Sequence, residues 1–153
     1  MIEPKDVPLS KDPYDLDRFV RAQAADYDQA LSELRDGKKQ SHWMWYIFPQ
    51  IEGLGQSTMS RRYSIKSAAE ARVYLDHPIL GPRLSECAAV VHNIVGCSAL
   101  EIFGSPDDLK LRSCATLFAR VSRDGVFERV LQKYFNGQYD EETLRLLRAV
   151  TEA

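Results

Sequence analysis

The side chains with most chemistry to offer lie between Ser41 and Tyr63, in the run SHWMWYIFPQIEGLGQSTMSRRY. It holds both tryptophans and one of the three histidines. An imidazole at position 42, beside large rings, suits general-base work or anion binding; the alternative is that His42 bonds to backbone and meets no ligand. Trp43 and Trp45 offer flat faces on which a base can stack. Gln50 follows the aromatic run directly, and Gly53 and Gly55 let backbone amides approach a ligand. The GLG triplet fits neither the G-x-x-x-x-G-K-[ST] nor the G-x-G-x-x-G phosphate pattern, so a plain turn explains it as well. Arg61 and Arg62 close the run with guanidinium forks suited to phosphate.

A second polar line runs through Asp107, Asp108, Lys110, Ser113 and Thr116. Lys110 and Ser113 are three apart and share a helix face, while Asp108 and Arg112 are four apart and can pair. Thr116 sits in the apolar run CATLFA, where a hydroxyl either bonds back to its own helix or points into a polar cavity. Metal chemistry finds little support. His42, His77 and His92 are far apart, and neither C-x-x-C nor H-E-x-x-H occurs. Cys114 is flanked by apolar residues and reads as core rather than nucleophile. No metal and no cofactor are expected.

The elements that must position these residues are helical. Asp12-Pro13 is a start signal, an N-cap acceptor before a proline suited to the first helical position. Leu16, Phe19, Val20, Tyr27, Leu31 and Leu34 then recur at helical spacing, as one bent helix or two, up to Gly37. Ser41 caps the next element, in which residues 43–48 leave no polar face, so that helix must be buried; Pro49 ends it. Residues 50–60 read as loop, and Tyr63-Ser64-Ile65 as a short extended piece. Ser67 and Glu70 form a capping box. Further helices follow over about 78–95 and 99–103, from Ser105-Pro106, over 127–135 and from Asp140. The expectation is an all-α domain of seven or eight helices over residues 12–153, with a flexible tail at 1–11 and a long functional loop near 50–62.

Composition sets the class. At 44% hydrophobic and 27% charged over 153 residues, one soluble domain with a real core is expected. No run of about 18 apolar residues predicts a membrane span, and the polar first twelve residues lack the core of a secretory signal. Three cysteines, widely spaced and odd in number, fit reduced thiols and a cytoplasmic location better than a disulfide framework. A net charge of −2 argues against generic nucleic-acid binding. The distribution is uneven, however. Residues 35–72 carry seven basic and three acidic side chains. This basic excess coincides with the aromatic run, either as solvated surface charge or as an anion-attracting rim.

The pattern SHWMWYIFPQ, followed by GLG and Ser57, resembles the bacterial and fungal proteins grouped as domain of unknown function 1810. The resemblance continues through Tyr63, Glu70-Ala71, Tyr74-Leu75, His77-Pro78-Ile79-Leu80-Gly81, Ile102-Phe103-Gly104, Asp107, Lys110-Leu111, Ser113 and Thr116-Leu117-Phe118. It spans about residues 12–148 and adds Ser57 and Tyr63 to the motif positions. One departure is Cys114-Ala115, where the family has serine then methionine. The resemblance implies a mainly helical cytoplasmic protein and supplies no reaction. Some members carry the label "calpastatin", which names a largely disordered inhibitor. Regular amphipathic helices and two tryptophans argue against that label here. A weaker similarity is to the NADAR group, enzymes acting on ADP-ribose adducts, which pairs an early aromatic segment with a glutamate-bearing helix; Glu70 is the counterpart here.

The resulting expectation is a small-ligand enzyme acting on a nucleotide or ADP-ribose-like substrate, with His42 or Glu70 handling the proton. Trp43, Trp45, Gln50, Gly55, Ser57, Arg61, Arg62, Tyr63, Lys110, Ser113 and Thr116 would hold the ligand. The alternative is a binding module without chemistry, for an anionic ligand or for a protein partner met through an exposed aromatic patch.

Overall fold

A computed structural model describes residues 12–152; the expected tail at 1–11 lies outside the described residues. Nine helices follow one another among the described residues: α1 Asp17–Arg35, α2 Met44–Ile47, α3 Thr58–Arg62, α4 Ala68–Asp76, α5 Leu80–Asn93, α6 Ala99–Phe103, α7 Asp107–Ala119, α8 Val126–Phe135 and α9 Glu141–Glu152. The extra helix is α3, which shortens the loop expected near 50–62. Ser57 makes it possible, because its Oγ accepts the Ser60 amide at 3.1 Å and so satisfies one of the free N–H groups of a helix start.

The first helix is one element and begins later than Asp12-Pro13 suggests. Asp12 still acts as the acceptor, taking the amides of Leu16 at 2.7 Å and Asp17 at 3.1 Å. Asp15, at φ 52°, interposes a non-helical residue. The aromatic helix is a single turn, and Ser41 does not cap it: the N-cap position is Trp43, without a side-chain bond. Burial itself is as expected, with Trp43, Met44, Tyr46, Ile47 and Phe48 in the core.

Helix α7 forms the centre. It packs against α4, α6, α8 and α9, and seven of its residues are buried. Around it Phe118 meets Tyr74 and Phe127, with ring centroids 5.4 and 5.6 Å apart. Tyr74 in turn receives Phe19 edge-on at 5.1 Å. Such tilted and edge contacts add to area burial. Helices α4 and α5 approach closely at Gly81, where a Cβ would fall 2.0 Å from the Leu75 carbonyl oxygen. Any side chain there would have to push the two helices apart.

Candidate functional site

The cleft is built by a pairing that the sequence barely announces. Ile51 and Ile65 form an isolated parallel bridge. The Ile65 amide donates to the Gln50 carbonyl and the Glu52 amide to the Ile65 carbonyl, both at 2.8 Å. This ties the chain leaving the aromatic helix to the chain leaving α3. Between them lies a cleft lined by Trp45, Gln50, Glu52, Gly55, Arg61 and Tyr63. Its enclosed part measures about 20 Å³, room for one water or one ligand oxygen. A larger ligand must therefore lie across the mouth.

Trp45 is the half-buried tryptophan, in contrast to Trp43, which is 1% exposed. The Lys110 ammonium lies over its ring, 5.6 Å from the centroid, within the range of a cation–π contact. Lys110 is held there by Asp107 at 3.5 Å, and the same carboxylate takes Lys39 at 2.9 Å. Helix α7 thus supplies a cation to the aromatic segment across the fold. Tyr63 forms the floor, edge-on to Tyr46 at 5.2 Å.

The close approach of Gly55 to α3 shapes the mouth. A Cβ at this position would sit 2.4 Å from both Cβ and Oγ of Ser60. Ser60 Oγ can rotate but its Cβ cannot, so Gly55→Ala must displace the loop or α3. The expected result in urea unfolding is a loss of about 1–3 kcal/mol, together with weakened ligand binding.

The structure brings together Trp45, Gln50, Gly55, Arg61, Tyr63 and, over the tryptophan ring, Lys110. The other candidates lie elsewhere. His42 is exposed and does not line the cleft. Trp43 is buried, and its Nε1 donates to Glu33 at 2.9 Å. Ser57 caps α3. Arg62 diverges from Arg61 and joins Arg18, Arg21 and Lys66 around a separate depression. Ser113 donates to the Leu109 carbonyl at 3.2 Å. Thr116 donates to the Arg112 carbonyl and accepts the Asp140 amide, both at 2.8 Å, so its hydroxyl ties α7 to the start of α9. Arg112 pairs with Asp140 at 3.7 Å rather than with Asp108. The basic excess of residues 35–72 does not converge either: Arg35 faces Glu86 and Lys39 faces Asp107.

Glu70 needs the plainest correction. It is fully buried, with Oε2 3.1 Å from Arg18 and Oε1 accepting the Lys66 amide at 2.9 Å. It completes only half of the expected capping box, because its carboxylate reaches Lys66 and Arg18 instead of the Ser67 amide. A carboxylate so enclosed has no path to a ligand in the cleft. The thiols of Cys87 and Cys114 are equally withdrawn. Burial pushes Cys87 up to about 12 and Cys114 well above the ordinary thiol range, which leaves both protonated and unreactive at neutral pH. Among the described residues, no three His, Cys, Asp or Glu side chains group so as to hold a metal ion. No helix among them is long and apolar enough to cross a membrane.

Two residues went unnoticed in the sequence. Glu52 lines the cleft, and only the Ile51–Ile65 bridge, which no alternation signals, reveals it. Glu33 organises the approach to the site. Its Oε1 accepts the Gln40 and Ser41 amides and the Trp43 indole, and its Oε2 accepts Gln29 and the Ser41 hydroxyl, at 2.5–2.9 Å. Burial alone would raise this carboxyl. Donors from Ser41, Gln29 and Gln40 outweigh it and hold the carboxyl down at about 2.

No curated protein matches the chain significantly. Among solved structures, the conserved hypothetical protein Rv1873 from Mycobacterium tuberculosis is similar over 90% of this chain and 99% of its own. The two share 51% sequence identity and superpose with a TM-score of 0.88. The profile described as "Protein of unknown function (DUF1810)" matches residues 13–147. The chain therefore belongs to the DUF1810 family.

Proposed function

We propose that the Trp45 cleft binds a small nucleotide-like anion and that the protein is a binding module rather than an enzyme. The carrying observation is the placement of Lys110 over the half-buried ring of Trp45, a ring that lines the cleft together with Arg61 and Gln50. In this reading a base or other planar group packs against the accessible part of Trp45. Phosphate oxygens meet Lys110 and Arg61, whose charges suit them. Glu52 accepts from ribose hydroxyls, a role for which an acidic side chain is well fitted. The enclosed space takes a single ligand oxygen or a bridging water.

What favours binding over turnover is the condition of the expected proton-transfer groups. Glu70 is bound to Arg18 and Lys66, and His42 does not line the cleft. A partner protein docking on the aromatic segment is disfavoured by the burial of Trp43, Tyr46 and Phe48.

Thermal unfolding against ADP-ribose, AMP, NAD and inorganic phosphate tests the reading. A ligand at 100 times its dissociation constant stabilises by about 2.7 kcal/mol, which raises Tm by roughly 5–10 °C in a domain of this size. The shift should vanish in Lys110→Gln and in Trp45→Ala. No shift with any of these at millimolar concentration would sink it. Product formation abolished by His42→Ala would restore the enzymatic alternative.

A further inference from the structure

A second groove lies between α4, the end of α7 and α9, and shares no lining residue with the Trp45 cleft. Arg72, Arg120 and Arg148 line it, over an aliphatic floor that includes Val121, Leu144 and Leu147. All three arginines are exposed. Among the described residues none of them lies within ion-pair distance of a carboxylate, in contrast to Arg18, Arg21, Arg35, Arg112 and Arg145. Among the described residues, no acidic side chain lines the groove. Three like charges around one depression repel each other and raise the local concentration of anions.

We propose that this groove binds a single-chain aliphatic carboxylate or phosphate. The guanidinium forks match the planar geometry of a carboxylate and the oxygens of a phosphate. The floor offers methyl and methylene groups to a hydrocarbon tail. Among the described residues it presents no aromatic ring for a base to stack on and no amide or hydroxyl side chain to read a sugar. A nucleotide therefore suits the Trp45 cleft and an acyl-type anion suits this one. The groove holds about 320 Å³, the lower end of the range for small-molecule sites, which favours a free chain of medium length.

Calorimetric titration of the whole protein with monomeric decanoate and decyl phosphate tests the proposal, with acetate and inorganic phosphate as tailless controls. Saturable binding is expected, tightening by roughly two- to fourfold per methylene as the chain grows across the floor. The double variant Arg120→Gln/Arg148→Gln should bind at least tenfold more weakly. Both positions are exposed, so the variant should fold, which an unchanged circular dichroism spectrum verifies. Leu144→Ser should weaken decanoate while leaving the tailless anions unchanged. Any of four results overturns the proposal: no saturable binding, acetate binding as tightly as decanoate, unchanged affinity in the double variant, or binding to phosphatidylglycerol vesicles with none to monomeric decanoate.

Discussion

Replacing Arg18 with alanine lowers the stability of the domain by about 3–5 kcal/mol, the range for breaking a buried charge pair. Its guanidinium makes five contacts. Nε donates to the Arg62 carbonyl at 2.8 Å, one terminal nitrogen to Tyr14 and Asp15, and the other to Ser64 and Glu70. The start of α1, the exit from α3 and the first turn of α4 meet at this one group. The alanine variant leaves the Glu70 carboxyl fully buried and without its cation. Arg18→Lys should recover little, because a single ammonium cannot span the fork. Glu70→Gln should also lose stability, a result expected of a structural carboxylate. Urea unfolding reads all three. A loss below about 1 kcal/mol for Arg18→Ala would mean that water replaces the network at little cost. Because Ser64 also borders the cleft, the same variants should weaken binding at Trp45 indirectly.

The Glu33→Gln variant should lose about 3 kcal/mol at neutral pH. The folded-state carboxyl is held at about 2 against an ordinary value of 4.5, and each unit is worth about 1.4 kcal/mol. The sign follows from linkage. A depressed carboxyl pKa gives stability that is fully present above 4.5 and is lost as the pH falls from 4.5 towards 2. The gap between wild type and Glu33→Gln should thus stay constant above about pH 5 and shrink in acid. In the variant an amide nitrogen faces donors in a pocket only 4% exposed. A pH-independent gap would assign the loss to packing instead of charge. At neutral pH the shift in Tm should be roughly 6–12 °C.

The helical architecture was legible because its signals are local. Ser67 and Asp140 can be read as acceptors a few residues from the amides they satisfy, and apolar spacing marks the faces of α1, α5 and α8. The interior position of Trp43 to Phe48 follows from the lack of a polar face. The site was legible only in part. Trp45, Gln50, Gly55, Arg61 and Tyr63 converge because they share one stretch of chain, and Lys110 reaches the Trp45 ring from α7. What failed was any inference needing a long-range partner. Glu70 looks like a capping glutamate until Arg18, 52 residues earlier, is placed beside it. Glu33 carries no motif, since its five donors include amides whose direction depends on the turn after α1. Thr116 makes the bond back to its own helix, to the Arg112 carbonyl, but its second partner, the Asp140 amide, has no local signal. Adjacent Arg61 and Arg62 look equivalent in sequence, yet the single turn of α3 sends them to different depressions.

The most direct test of the proposed binding site follows the two indole N–H signals by solution NMR during titration with ADP-ribose. Trp45→Phe assigns them. The Trp43 N–H donates to Glu33 inside the core, whereas Trp45 borders the cleft. A saturable shift of the Trp45 signal is expected, with Trp43 unmoved and the response lost in Lys110→Gln. Both signals staying fixed through millimolar ligand, or Trp45 responding equally in Lys110→Gln, would contradict a nucleotide-like anion held between that ring and that cation.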